Sequence, residues 1–121
     1  MDEVMRQYFE KIKNESFPYK GELPNYDIKI EGEGCKGGGS QDDISFFIKK
    51  NKDMIEEISY VCNYCIPPSY IVADVICRFA KGKTLKDLKN MTHEDIKDIL
   101  GGESPKIYEL VTSVLKEFPD N

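Results

Sequence analysis

The chain has 121 residues, of which 40 % are hydrophobic and 32 % charged, and it carries a net charge of −5. These values suit one globular domain, residues 1–121, whose core needs no disulfide staples. They argue against a nucleic-acid partner, because Lys49, Lys50 and Lys52 are flanked by Asp42, Asp43, Asp53, Glu56 and Glu57 and leave no basic footprint.

Residues 3 to about 13 read as an amphipathic helix, with Val4, Met5, Tyr8, Phe9 and Ile12 on one face. Pro18, Gly21 and Pro24 end it in an irregular connection. Tyr26-Asp27-Ile28-Lys29-Ile30 alternates polar and apolar and suggests a strand. The run from Gly32 to Ser40 that follows is so rich in glycine that it reads as an irregular loop. Ile44, Phe46 and Ile48 alternate in a second strand, and Asn51-Lys52-Asp53 turns the chain into a third, where Ile58 and Tyr60 share a face.

Helices take over after Cys65. Pro67 and Pro68 suit a first helical turn, whose N–H groups lack intrahelical partners anyway. Ser69 to Ala80 is apolar nearly all round and reads as a buried central helix closed by Gly82. Thr84 caps a short helix carrying Leu85 and Leu88, and Thr92 caps another carrying Ile96, Ile99 and Leu100, closed by Gly101-Gly102. Ser104 and Pro105 open the last, with Ile107, Leu110, Val111, Val114, Leu115 and Phe118 on its buried face. The expected fold is α+β, a three-stranded antiparallel sheet covered on one face by helices, with an N-terminal helix and a helical C-terminal half.

No apolar run is long enough for a bilayer span, and the acidic start Met1-Asp2-Glu3 is wrong for a signal peptide. The expectation is a cytosolic chain with reduced thiols, so its four cysteines are better read as ligands, reactive thiols or core residues than as disulfide partners. Cys62-Asn63-Tyr64-Cys65 sits where the third strand gives way to the proline-initiated helix. Two thiolates at this spacing can share a metal ion, as in half of a zinc or iron–sulfur site, and a helix N-terminus favours thiolate. A redox dithiol and a purely structural role are the alternatives. The redox one is weakened because thioredoxin-type motifs open the helix of a βαβ unit, which this pattern lacks.

Cys35 lies in the glycine-rich stretch and can approach Cys62 and Cys65 if that stretch moves; an incidental loop cysteine is the alternative. Asp42 can add an oxygen ligand or simply start a strand. Cys77 falls three helical turns past Cys65, roughly 18 Å along the axis, among apolar neighbours, and reads as core. His93, the only histidine, sits at a solvated helix start. There is no nucleophile-elbow, P-loop or dinucleotide motif, since Gly32-Glu33-Gly34 leads to a strand and not to a helix.

Cys65, the helix after it, the Lys81-Gly82-Lys83-Thr84-Leu85 turn, Asp95-Ile96 to Ile99-Leu100 and the closing helix together resemble the NifU N-terminal/IscU family of iron–sulfur cluster assembly scaffolds, over roughly residues 30 to 115. The resemblance places Cys65 on the family's middle cysteine and Asp42 on its aspartate. It places Ser40 and Glu109 where the family has its other two cysteines, and Glu103-Ser104-Pro105-Lys106-Ile107 on its chaperone-binding stretch. It implies a scaffold or carrier, not an enzyme, that holds a transient iron–sulfur cluster, or zinc in its absence, and works with a cysteine desulfurase and acceptor apo-proteins. Cys35, Cys62, Cys65 and Asp42 are the ligand candidates in this divergent member. A zinc or sulfur-carrier module on the same fold, and a thiol–disulfide protein using Cys62 and Cys65, are the other expectations.

Overall fold

The computed structural model describes residues 1–37 and 40–120, and for residues 32–37 and 40–42 it describes the backbone alone. Its elements run α1 (Glu3–Asn14), β1 (Ile28–Gly37), β2 (Ser40–Asn51), β3 (Met54–Asn63), α2 (Pro67–Ala80), α3 (Leu85–Lys89), α4 (His93–Leu100) and α5 (Pro105–Leu115). The strands form one antiparallel sheet in the order β1-β2-β3. This is the α+β layout expected from the sequence.

One face of the sheet meets the helices. Ile44, Phe46 and Ile48 of β2 and Ile58 and Tyr60 of β3 are buried against α2 and its neighbours, with Phe46 edge-on to Phe118 beyond α5. Phe47 points the other way and is covered by Tyr26, ring to ring at 5.2 Å, and by the Lys29 side chain. In β3 the buried positions run Ile55, Ile58, Tyr60, a break in strict alternation. The register supplies the reason: it shifts between Lys49 and Lys50, so Glu56 is an extra residue in β3 and returns Ile58 to the core face.

The glycine-rich stretch corrects an expectation. Residues 32–37 extend β1 and Ser40 begins β2, where an irregular loop was expected. Glycine's weak strand preference is overcome because the ladder begun at Ile28–Ile48 simply continues, and the irregularity is confined to a register shift between Glu33 and Lys36. The turn at Lys52-Asp53 is as expected, with Lys52 left-handed at φ 58° between paired Asn51 and Met54.

Helix α2 is buried along most of its length, and both ends are fixed beside β3. At its C-terminal end the amide of Gly82 donates to Ile55 O at 2.9 Å and the amide of Ile55 donates to Lys83 O at 2.8 Å. Gly82 takes φ 82° there, a backbone that suits glycine. Farther along β3, the segment after α1 covers the strand's outer edge: Tyr60 N donates to Tyr19 O at 3.0 Å and Gly21 N to Tyr60 O at 2.7 Å. The edge of β3 is thus covered, not left as a template for another strand.

The sequence reading passed over Asp74, a carboxylate on this apolar helix with 1 % exposure. Tyr8 of α1 donates its hydroxyl hydrogen bond to Asp74 Oδ1, and Arg78 one turn on donates from Nε at 3.0 Å. Arg78 Nη2 reaches out to Glu15, just past α1, at 2.8 Å. Burial and the adjacent Asp74 charge push the Tyr8 hydroxyl well above the ordinary tyrosine value, so it stays a proton donor. A buried carboxylate is costly unless paired and hydrogen-bonded, and here both conditions hold while α1 is tied to α2. The start of α1 is tied separately: Asp2 accepts from Met5 N and from Ser104 Oγ, both at 2.8 Å, which joins it to the cap of α5.

Removing Arg78 leaves Asp74 buried and short of its cation. Arg78→Ala is expected to lower unfolding free energy by about 3 kcal/mol, the low end for a broken buried pair because Arg78 is partly exposed. Urea denaturation followed by far-UV circular dichroism measures it, and a loss below about 1 kcal/mol would contradict this account of the network.

Candidate thiol site

The site is built at the reversal between β3 and α2. Alternation along β3 puts Cys62 on the same face as Ile58 and Tyr60, at the last core-facing position, where it is half-buried and paired in register with Ile44 of β2. The chain then leaves the sheet. Tyr64 adopts a left-handed backbone at φ 57°, unusual for a bulky residue, and this tight bend brings Cys65 back toward the strand end before Pro67 opens α2. The Tyr64 side chain stands out at 87 % exposure.

The result is that Cys62 and Cys65 face one another, with Cα atoms 5.8 Å apart, a spacing at which their sulfurs can close a disulfide. When reduced, Cys65 can donate to the Asn63 carbonyl oxygen, which lies 3.7 Å from its Sγ. Both cysteines are partly exposed and pack on the rim of the core. The sequence brought these two thiols together correctly. A disulfide between them is what the thiol–disulfide alternative expects, whereas the expectation of a reducing compartment favours free thiols.

Cys35 lies in β1 and Asp42 in β2, and their side chains fall outside the described residues. The backbone does place both strand segments at the end of the sheet that carries the pair, since Asp43 is the register partner of Asn63 as well as of Glu33. Ser40 begins β2 in the same arm, and Glu109 is exposed on α5. Cys77 is buried at 0 % exposure in α2, as expected of a core residue. His93 opens α4, exposed and edge-on to the Tyr108 ring at 5.0 Å.

A cluster or metal ion needs more donors than this pair. Among the described residues no group of three or more His, Cys, Asp or Glu side chains could hold a metal ion. The chemistry of the pair fits a thiophilic ion, but the described donors amount to half a site. Without further ligands, two adjacent thiols can accept sulfur, exchange with disulfides or supply one side of a ligand set.

A crystal structure described as that of a putative iron–sulfur cluster assembly scaffold protein for the SUF system, from the thermophile Fervidobacterium islandicum AW-1, superposes with a TM-score of 0.62. The fold is scaffold-like. Sequence identity with that protein is 15 %, and the match covers 98 % of this chain and 95 % of the other, so the likeness extends over the whole architecture. A second structure, of a protein with no stated function, is 22 % identical over 84 % of this chain and 74 % of its own, and its TM-score of 0.43 is too low to carry an argument. No family model and no curated protein matches the chain. Among the described residues no helix is long and apolar enough to cross a membrane.

The exposure of the thiols is directly measurable. In the reduced, folded protein, maleimide is expected to label Cys62 and Cys65, whereas Cys77 stays unlabelled until denaturant is added, because burial and then the nearby Asp74 charge hold its thiol well above the ordinary value. Peptide mapping by mass spectrometry reads the pattern, and early labelling of Cys77 would contradict the packing of α2.

Proposed function

We propose that this protein is a divergent scaffold or carrier for iron–sulfur cluster assembly, a binding and transfer protein without turnover of its own. One observation carries the reading: the fold sets Cys62 and Cys65 face to face at the end of the sheet whose adjoining arm bears Cys35 and Asp42. The whole-chain likeness in fold to a protein described as a putative scaffold supports it. In this reading the cargo is sulfur and iron, Cys62 and Cys65 are its principal holders, and Cys35 and Asp42 complete the ligand set from the hairpin arm. Asp42, as an oxygen donor, would keep a cluster labile enough to hand on. The partners in this reading are a cysteine desulfurase as sulfur source and an apo-protein as acceptor, working in the cytosol.

The spacing of the pair, which a disulfide can bridge, supports a second reading, a thiol–disulfide protein with no metal dependence. A zinc or sulfur-carrier module on the same fold lies between the two. Metal and sulfide content separates them. Protein purified without oxygen, or reconstituted with ferrous iron and sulfide, is expected to show visible charge-transfer absorption and to contain iron and sulfide together, both lost in Cys62→Ala or Cys65→Ala. Zinc without iron after reconstitution would favour the zinc module. Protein that stays free of metal would overturn the scaffold reading.

A further inference from the structure

Cys62 and Cys65 are not equivalent. Cys62 is held by the β3 ladder against Ile44, whereas Cys65 lies outside the sheet, in the turn between Tyr64 and the start of α2. The more freely placed thiol is the one that can reach out to a donor, and the fixed one stands behind it.

We propose that Cys62 is a resolving thiol, which discharges sulfur carried on Cys65 as hydrosulfide. The inference rests on the reading of this chain as a sulfur-accepting scaffold or carrier, with Cys65 receiving a sulfur atom as a persulfide from a persulfide donor. The Cys62 sulfur then attacks the inner sulfur, Cys65 Sγ. The bond between Cys62 Sγ and Cys65 Sγ forms as the bond from Cys65 Sγ to the terminal sulfur breaks. The electron pair of the broken bond leaves with the terminal sulfur, which takes up the proton lost by Cys62 and departs as hydrosulfide. That sulfur is reduced by two electrons, and the two cysteine sulfurs are oxidised together to the disulfide. An external dithiol returns two electrons and two protons to the pair before the next round.

The geometry meets the requirement of the step. The product of the attack is a Cys62–Cys65 disulfide, and the fold holds the two Cα atoms 5.8 Å apart, a span such a bond bridges. Thiol–disulfide exchange within such a pair has the advantage of an intramolecular reaction. Asn63 and Tyr64, between the two cysteines, are exposed, so the turn that carries Cys65 lies at the surface where a donor can approach. Cys77 is sealed in α2 and cannot substitute.

The test uses the full chain, reduced, freed of reductant without oxygen, and loaded with one equivalent of glutathione persulfide. Intact mass, peptide mapping and released hydrosulfide are followed together. Wild type is expected to release one hydrosulfide for each Cys62–Cys65 disulfide formed. In Cys62→Ser the added sulfur should persist on Cys65, and hydrosulfide release should slow by about tenfold or more. Equal release from Cys62→Ser and wild type, with sulfur mapped to Cys65 in both, would overturn the resolving role and leave the carrier reading standing. Absence of sulfur on Cys65 in Cys62→Ser would overturn the carrier reading and the inference with it. Should that variant fail to fold, wild type still decides: hydrosulfide released without matching loss of the Cys62 and Cys65 thiols would also overturn the resolving role.

Discussion

Helix α2 is buried on almost every side, yet it carries a carboxylate, and the rest of the molecule is arranged around satisfying that group. Asp74 accepts hydrogen bonds from the Tyr8 hydroxyl and from Arg78, and Arg78 extends the link to Glu15. Desolvating a carboxylate costs several kcal/mol that only such partners offset, so α1 has one seat on α2 and not a range of them. The same helix is held beside β3 at its far end by the hydrogen bonds of Ile55 with Gly82 and Lys83. With the helix placed in this way, its first turn must lie near the end of β3. The short passage from Cys62 to Pro67 has little freedom left, and the two thiols meet.

That convergence allows two states that exclude each other. As thiols, Cys62 and Cys65 can hold a thiophilic ion or accept sulfur; as a disulfide they can do neither. Sulfur chemistry at this site is therefore coupled to the redox state of the pair. The scaffold-like fold adds a neighbouring arm, the β1–β2 hairpin, which extends past the paired end of β3 and carries Cys35 and Asp42 on its strands. A strand end, a helix start and a hairpin arm therefore lie at one edge of the fold.

Much of this was legible in the residues. Thr84, Thr92 and Ser104 marked three helix starts, and all three side chains accept the hydrogen bonds expected of caps. Pro67 and Pro68 located the start of α2, and its all-round apolar run announced its burial. Three features were hidden, in whole or in part, for physical reasons. The hairpin arm was concealed by glycines, whose backbone freedom suggests a loop until a partner strand completes the ladder. The Glu56 bulge breaks the two-residue period that strand reading depends on. Asp74 was legible only in part: its cation Arg78 lies one turn on in the same helix, but its other partner, Tyr8, comes from a helix 66 residues earlier. At the site, the spacing of Cys62 and Cys65 pointed to the convergence. The left-handed turn at Tyr64, a residue type that rarely adopts it, could not have been read in advance.

The central claim is that Cys62 and Cys65 bind a thiophilic cargo together, at one place on a scaffold-like fold. Iron K-edge X-ray absorption on protein loaded with ferrous iron and sulfide under anaerobic, reducing conditions tests it most directly. The account predicts a first shell dominated by sulfur together with iron–iron scattering, with the sulfur contribution reduced in the Cys62→Ser, Cys65→Ser double variant. A shell of oxygen and nitrogen alone, the same in wild type and variant, would contradict it.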